Sequence, residues 1–195
     1  IMSSSVKLNS IIKDAQLNLE DVLLIRHAKS DKEFMKFFEE DKILEYTQIQ
    51  GLNMPTSQKY WMVFISDCGT SAKYYACYMI KGHKQDGEQL IFELEDVDLF
   101  SDLKNRLIID WGKSARMWKQ YASNNNKGVL CIQENPKYQF SGYENVVLMY
   151  NELLEIIRDK NRYENWHTAL GSVNAIYLIT DTDNGKQYVG SAYGN

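Results

Sequence analysis

The sequence predicts an α+β fold: a curled, mainly antiparallel sheet or small barrel with flanking helices, followed by a C-terminal β-hairpin. Three observations predict it. Between Tyr60 and Ile132, short runs rich in aromatic and β-branched residues alternate with turns carrying Gly and Asp. Two amphipathic segments, 34–44 and 146–157, place apolar residues at helical spacing on either side of that region. Near the C-terminus, Ile176-Tyr177-Leu178-Ile179 and Gln187-Tyr188-Val189-Gly190 flank a polar turn containing Asn184-Gly185, the pair that best tolerates the positive φ angles of tight hairpins.

Composition narrows the class. With 195 residues, 44% hydrophobic and 25% charged, the chain has enough apolar content for one full core and a small appended unit. No run approaches the roughly 18 uninterrupted apolar residues of a membrane span. Ile1-Met2-Ser3-Ser4-Ser5 lacks the basic and apolar regions of a secretory signal, so a cytoplasmic protein without a membrane partner is expected. A net charge of −4 excludes the strongly basic footprint of a nonspecific nucleic-acid coat, but phosphate contacts need only one local basic face. Cys68, Cys77 and Cys131 are odd in number, lie in strand-like runs and have no CxxC spacing; buried free thiols are expected, not disulfides or a metal site.

In chain order, residues 1–16 are polar and serine-rich and are expected to fray. Asp21 to Ile25 reads as a strand. Ser30 and Glu33 have capping-box spacing and open a helix whose Phe34, Phe37, Phe38 and Leu44 share one side. Tyr60–Ile65 and Lys73–Ile80 predict an antiparallel pair, and Leu90–Leu94, Arg106–Asp110 and Val129–Ile132 add further strands. Ser141 and Glu144 repeat the capping spacing before Val146, Tyr150, Leu153, Leu154 and Ile157, an apolar stripe expected to bury against the sheet. A connector through Trp166 and Leu170 leads to Gly171. The organisation predicted is a flexible 1–16, one module over 17–170 that includes the 144–158 helix, and a separate start of a second domain over 171–195.

Within the module, Arg106 to Tyr121 is the segment best suited to a ligand. A helical turn opened by Ser114 would align Lys113, Arg116 and Gln120 beside Met117, Trp118 and Tyr121. Cations bind phosphates and aromatic faces stack bases, so Arg106, Lys113, Arg116 and Trp118 are candidate nucleic-acid contacts. The competing reading makes the tryptophans core and the cations a solvated face.

Arg26-His27-Ala28-Lys29-Ser30, after an apolar strand, looks like the nucleophile motif of the histidine phosphatases, in which His27 would attack phosphorus. That chemistry needs a second histidine and further arginines. The family's following Asp and Arg-Pro-Leu landmarks are absent, and an Arg-His pair at a strand end is the simpler reading.

The hairpin, with Ala175-Ile176-Tyr177 and Tyr188-Val189-Gly190 around an Asn-Gly-Lys turn, resembles the signature of the GIY-YIG nuclease family. The preceding module is similar in strand pattern to PUA-like barrels, several of which bind modified nucleic acid. The resemblance implies an endonuclease hydrolysing DNA phosphodiesters with Mg2+ or another divalent metal, in a restriction or defence role. Tyr177 would orient the attacking water, Tyr188 would shape the site, and Gly190 would leave room for substrate. Ala175 replaces the family's first glycine. The family's arginine-bearing helix and metal-binding glutamate do not occur before Asn195, so the chain as given is expected to be a truncated, inactive piece whose module recognises DNA or positions the nuclease. A non-enzymatic protein-interaction module, or a homo-oligomer, is the alternative.

Overall fold

The computed structural model describes residues 6–113 and 117–193. By internal contacts the chain divides into two compact units between Glu134 and Asn135, earlier than the boundary near 170 expected from sequence. In the first unit, α1 (Leu8–Asp14) precedes β1 (Val22–His27), α2 (Lys32–Glu39), α3 (Ile43–Gln48) and β2 (Ile49–Gly51). β3 (Tyr60–Ser66), β4 (Ser71–Asp86), β5 (Gln89–Asp96), β6 (Leu107–Asp110), β7 (Lys119–Tyr121) and β8 (Val129–Ile132) follow. The second unit contains α4 (Tyr150–Arg158), α5 (Glu164–Gly171), β9 (Ala175–Thr180) and β10 (Gln187–Ala192). The fold is α+β, with a curled mixed sheet in the first unit and a two-stranded antiparallel hairpin at the C-terminus.

The sheet runs β2-β5-β4-β3-β1-β7, and β6 joins β4 to β8. β1 runs parallel to β3, from Val22 opposite Tyr60 to His27 opposite Ile65; the other pairings are antiparallel. A parallel pair needs a long crossover, supplied here by α2, α3 and β2. The predicted antiparallel partnership of Tyr60–Ile65 with the following strand is present as β3 and β4. β4 is 16 residues long and serves β3, β5 and β6 in turn. Register shifts at Val63/Phe64 and Ile80/Gly82 add twist and let the sheet curl.

Alternation along β1 and β3 builds two cores. Val22, Leu24, Met62 and Phe64 pack with Ala72, Tyr74, Trp111 and the helical residues Leu8 and Ile12. Leu23, Ile25, Trp61 and Val63 pack on the other side with Ala76, Tyr78 and Phe92, while Phe34 and Ile43 cover Ile65. All six residues of β1 are buried, which accounts for its nearly continuous apolar sequence.

Several expectations are corrected. The N-terminal segment does not fray over its described part: Leu8 and Ile12, one helical turn apart, are fully buried. The Leu8 N–H donates to the Lys127 carbonyl at 2.9 Å and the Val129 N–H to the Val6 carbonyl at 3.0 Å, so the segment is tied to the far end of the unit. Helix α2 is capped by Asp31, whose carboxylate accepts from the N–H groups of Glu33 and Phe34; Ser30 is not the cap. Of the cysteines, Cys77 is buried, but Cys68, in the bend after β3, and Cys131, in β8 between the exposed Leu130 and Ile132, are exposed.

In the second unit, Ile156, Tyr163 and Trp166 form the core, with Tyr138, Phe140, Val146 and Leu148 around them. The predicted stripe is therefore not what is buried: Tyr150, Leu153 and Ile157 are exposed, and α4 starts at Tyr150 instead of 144. Glu152 reaches back to accept the Met149 N–H at 2.8 Å, the capping interaction that Glu144 was expected to make. Among the described residues, no helix is long and apolar enough to cross a membrane.

Candidate nucleic-acid interface

The described part of the segment predicted as a helical turn, 117–121, is instead paired as an extended strand over Lys119–Tyr121. Leu23 faces Tyr121, Leu24 faces Gln120 and Ile25 faces Lys119, and the Arg26 N–H donates to the Trp118 carbonyl at 2.7 Å. β1 has a free edge of backbone donors and acceptors, and 118–121 satisfies it; ladder pairing outweighs the weak helical propensity of an aromatic-rich run. Period-two alternation then replaces the helical face, so Gln120 is buried while Lys119 and Tyr121 turn the other way.

This rearranges the candidate contacts. Trp118 is partly exposed, at 36%, with the Lys119 ammonium 5.3 Å from its ring centroid. Lys119 also donates to the Asn53 carbonyl at 2.8 Å, and burial lowers its pKa. Lys113 is exposed just after Gly112, whose φ of 93° makes the bend that ends the preceding extended stretch. Arg106 is differently employed. Its Nε donates to the Gln133 carbonyl at 2.7 Å and its Nη1 to the Asp102 carbonyl, so much of its fork holds loop backbone. Arg116 lies outside the described residues. Trp111 is buried, donating from Nε1 to the Met117 carbonyl at 3.0 Å, with Lys127 above its ring. The structure thus brings together Trp118 and Lys119. Helical spacing missed Lys119, and the alternation of Lys119, Gln120 and Tyr121 is the signal that finds it.

His27 is buried and enclosed by aromatics, with Phe34 stacked at 5.0 Å and Tyr46 edge-on at 5.1 Å. The Thr47 hydroxyl donates its hydrogen to the Ile43 carbonyl at 2.7 Å. It can therefore only accept from His27, so Nε2 carries the imidazole proton in the 2.9 Å contact between them. Burial pushes the His27 pKa down to about 4, with the Asp31 charge opposing. A neutral imidazole donating to a buried hydroxyl is an interior structural group, and this geometry gives the phosphatase reading no support. His83 lies tilted against Phe92, with ring centroids 5.4 Å apart, and His167 bonds the Ile156 carbonyl at 2.9 Å.

In the hairpin, Gln187 pairs with Thr180, Tyr188 with Ile179 and Gly190 with Tyr177. The connecting turn is held by Asp181, whose carboxylate accepts from the Asp183 N–H at 2.9 Å and the Asn184 side chain at 2.6 Å, and by Gly185 at φ 74°. The Tyr177 and Tyr188 rings lie on one face with centroids 6.3 Å apart. Gly190 sits beneath the Tyr177 ring: a methyl there would stand inside 3.0 Å of both the ring carbons and the hydroxyl oxygen. The room left by this glycine is filled by the tyrosine itself. Among the described residues no three His, Cys, Asp or Glu side chains converge in a metal-holding arrangement. Tyr177, Tyr188 and Gly190 bring no carboxylate or imidazole ligand of their own for a divalent ion. No family model, curated protein or solved structure matches the chain.

Proposed function

We propose that the chain is the DNA-recognising part of a GIY-YIG endonuclease, a cytoplasmic protein whose first unit binds DNA and whose hairpin contributes Tyr177, Tyr188 and Gly190 to the nuclease site. The observation that carries this reading is the hairpin register. It sets the first tyrosine directly opposite the glycine of the second triplet and brings the second tyrosine onto the same face. Trp118, Lys119 and Lys113 supply the aromatic and cationic groups for contact with nucleic acid. By the family resemblance, cleavage also requires an arginine and a metal-binding glutamate; DNA binding by the first unit requires neither and persists without Mg2+.

The test is a salt titration of duplex and single-stranded DNA binding, monitored by anisotropy. Affinity falls steeply with salt, and Lys113→Glu with Lys119→Glu weakens binding by at least about tenfold while flattening the salt slope by one to two units. A flat titration at low salt overturns the reading. The exposed apolar residues Ile176, Ile179 and Val189 favour a second reading, a protein-interaction module. That reading predicts no DNA binding and concentration-dependent self-association.

A further inference from the structure

The reading above leaves Arg26 unused. It is the fifth residue of a buried strand and keeps only 9% of its surface exposed. Alternation along β1 puts it on the side of Val22 and Leu24, in register with Phe64 of β3, and the Phe64 ring in turn meets Trp111 at 6.0 Å. Among the described residues its guanidinium makes no hydrogen bond and no ion pair, and its Nε is fully enclosed without a partner. Burial lowers the pKa of this group with no neighbouring charge to oppose it. Burying its stem and Nε carries a desolvation cost, and a methionine would fill that part of the space without it.

The polar groups of the segments next to this end of β1 are bonded to other partners. The Met117 carbonyl takes the Trp111 Nε1 and the Gln120 Nε2, each at 3.0 Å. The Trp111 carbonyl takes the Lys127 ammonium at 2.6 Å, the Trp118 carbonyl takes the backbone N–H of Arg26, and the Ser66 hydroxyl takes the Lys29 N–H at 2.8 Å. What remains is a planar fork of donors seeking oxygen atoms. A guanidinium stays protonated under ordinary conditions, so its complement is an anion, and its geometry matches two oxygens of one phosphate. Trp118 stands across the β1–β7 ladder from Arg26, with a partly exposed indole that already draws the Lys119 cation. Phosphate beside an aromatic face is the chemistry of a nucleotide.

We propose that Arg26 anchors an oxyanion site at the C-terminal end of β1 that takes the phosphate of a nucleotide unit, with the Trp118 indole stacking its base. The DNA-binding reading supplies only the source of that phosphate; the site itself rests on Arg26. In contrast to Lys113 and Lys119, Arg26 acts from inside the sheet, so it contributes geometric selection as well as charge.

The test uses the full chain with three probes: inorganic phosphate, deoxyadenosine 5′-monophosphate, and a short single-stranded oligonucleotide. Binding is followed by calorimetry and by thermal shift. Wild type binds phosphate weakly and the nucleotide about tenfold more tightly, and Trp118→Ala reduces the nucleotide to the level of phosphate. Arg26→Met melts at or above the wild-type temperature yet loses at least about tenfold in affinity for both small probes. Arg26→Lys keeps the charge and loses most of the affinity, because the bidentate fork is gone. Unchanged phosphate and nucleotide binding in Arg26→Met overturns the proposal, as does a wild type that shows neither binding nor thermal shift with millimolar phosphate. If Arg26→Met fails to fold, Arg26→Lys and the wild-type thermal shift decide. Binding of the small probes through Arg26 without oligonucleotide binding sustains this site and ends the DNA reading. Oligonucleotide binding unaffected by either Arg26 variant does the reverse.

Discussion

Two single residues carry opposite lessons about reading chemistry from a motif. Gly190 stands in the triplet that carries the nuclease resemblance, and the Tyr177 ring occupies the space above it. Gly190→Ala would force that ring off its strand partner, so the Tyr177–Tyr188 pair should separate; nuclear Overhauser contacts between the two rings are lost while far-ultraviolet circular dichroism of the chain is retained. Persistence of those contacts would show that glycine is not needed for the pairing. His27 resembles a nucleophile and is instead a neutral interior donor. Its folded pKa, about 4, lies below the value of about 6.5 in the unfolded chain. The unfolded state therefore binds the extra proton between those values, and stability falls as pH drops from about 6.5 towards 4, by up to about 3 kcal/mol. Urea denaturation of His27→Gln should lack most of that slope. Asp31, with its pKa lowered by the hydrogen bonds at the α2 N-terminus, loses its contribution at still lower pH in both proteins.

At the level of elements, sequence periodicity located what was strongly patterned and failed where two patterns competed. β3, β4 and the hairpin were legible because their alternation and turn residues agree. Periodicity does not decide residues 117–121, because Met117, Trp118 and Tyr121 fit a helix as well as a strand. Only the unfilled edge of β1, a tertiary feature, decides between them. The same holds for α1. Its apolar residues are few, but Leu8 and Ile12 pack into the cluster that holds Val22, Leu24, Phe64 and Trp111. In α4 the longest apolar stripe was legible and its buried side was not, since Ile156 rather than Leu153 or Ile157 meets Tyr163 and Trp166. The candidate site was legible as to residue types, aromatic beside cationic. Its members shifted because a strand exposes Lys119 where a helix would have aligned Lys113 with Arg116. Arg26 was legible only as the neighbour of His27 in a phosphatase-like motif: burial and the absence of a partner are what distinguish it from an ordinary strand-end arginine.

For the whole molecule, the two units differ in how much apolar surface each encloses. The first has three contiguous buried clusters covering both sides of its sheet. The second has one, built on Ile156, Tyr163 and Trp166, and its hairpin strands are exposed along nearly their whole length. A two-stranded hairpin without a packed face is marginal, and a small core loses stability faster with size than a large one. The second unit should therefore melt first, in a separate transition. Trp166 lies in it, whereas Trp61, Trp111 and Trp118 lie in the first unit, so tryptophan fluorescence distinguishes the two. Heating should give an early, low-amplitude change that disappears in Trp166→Phe, followed by a main transition that the same variant leaves in place. Limited proteolysis below the main transition should then leave a resistant fragment ending near Glu134 that retains the thermal shift with phosphate. A single transition reported identically by Trp166 and by far-ultraviolet circular dichroism would mean that the two units fold as one cooperative body, and that the boundary at Glu134 has no energetic counterpart.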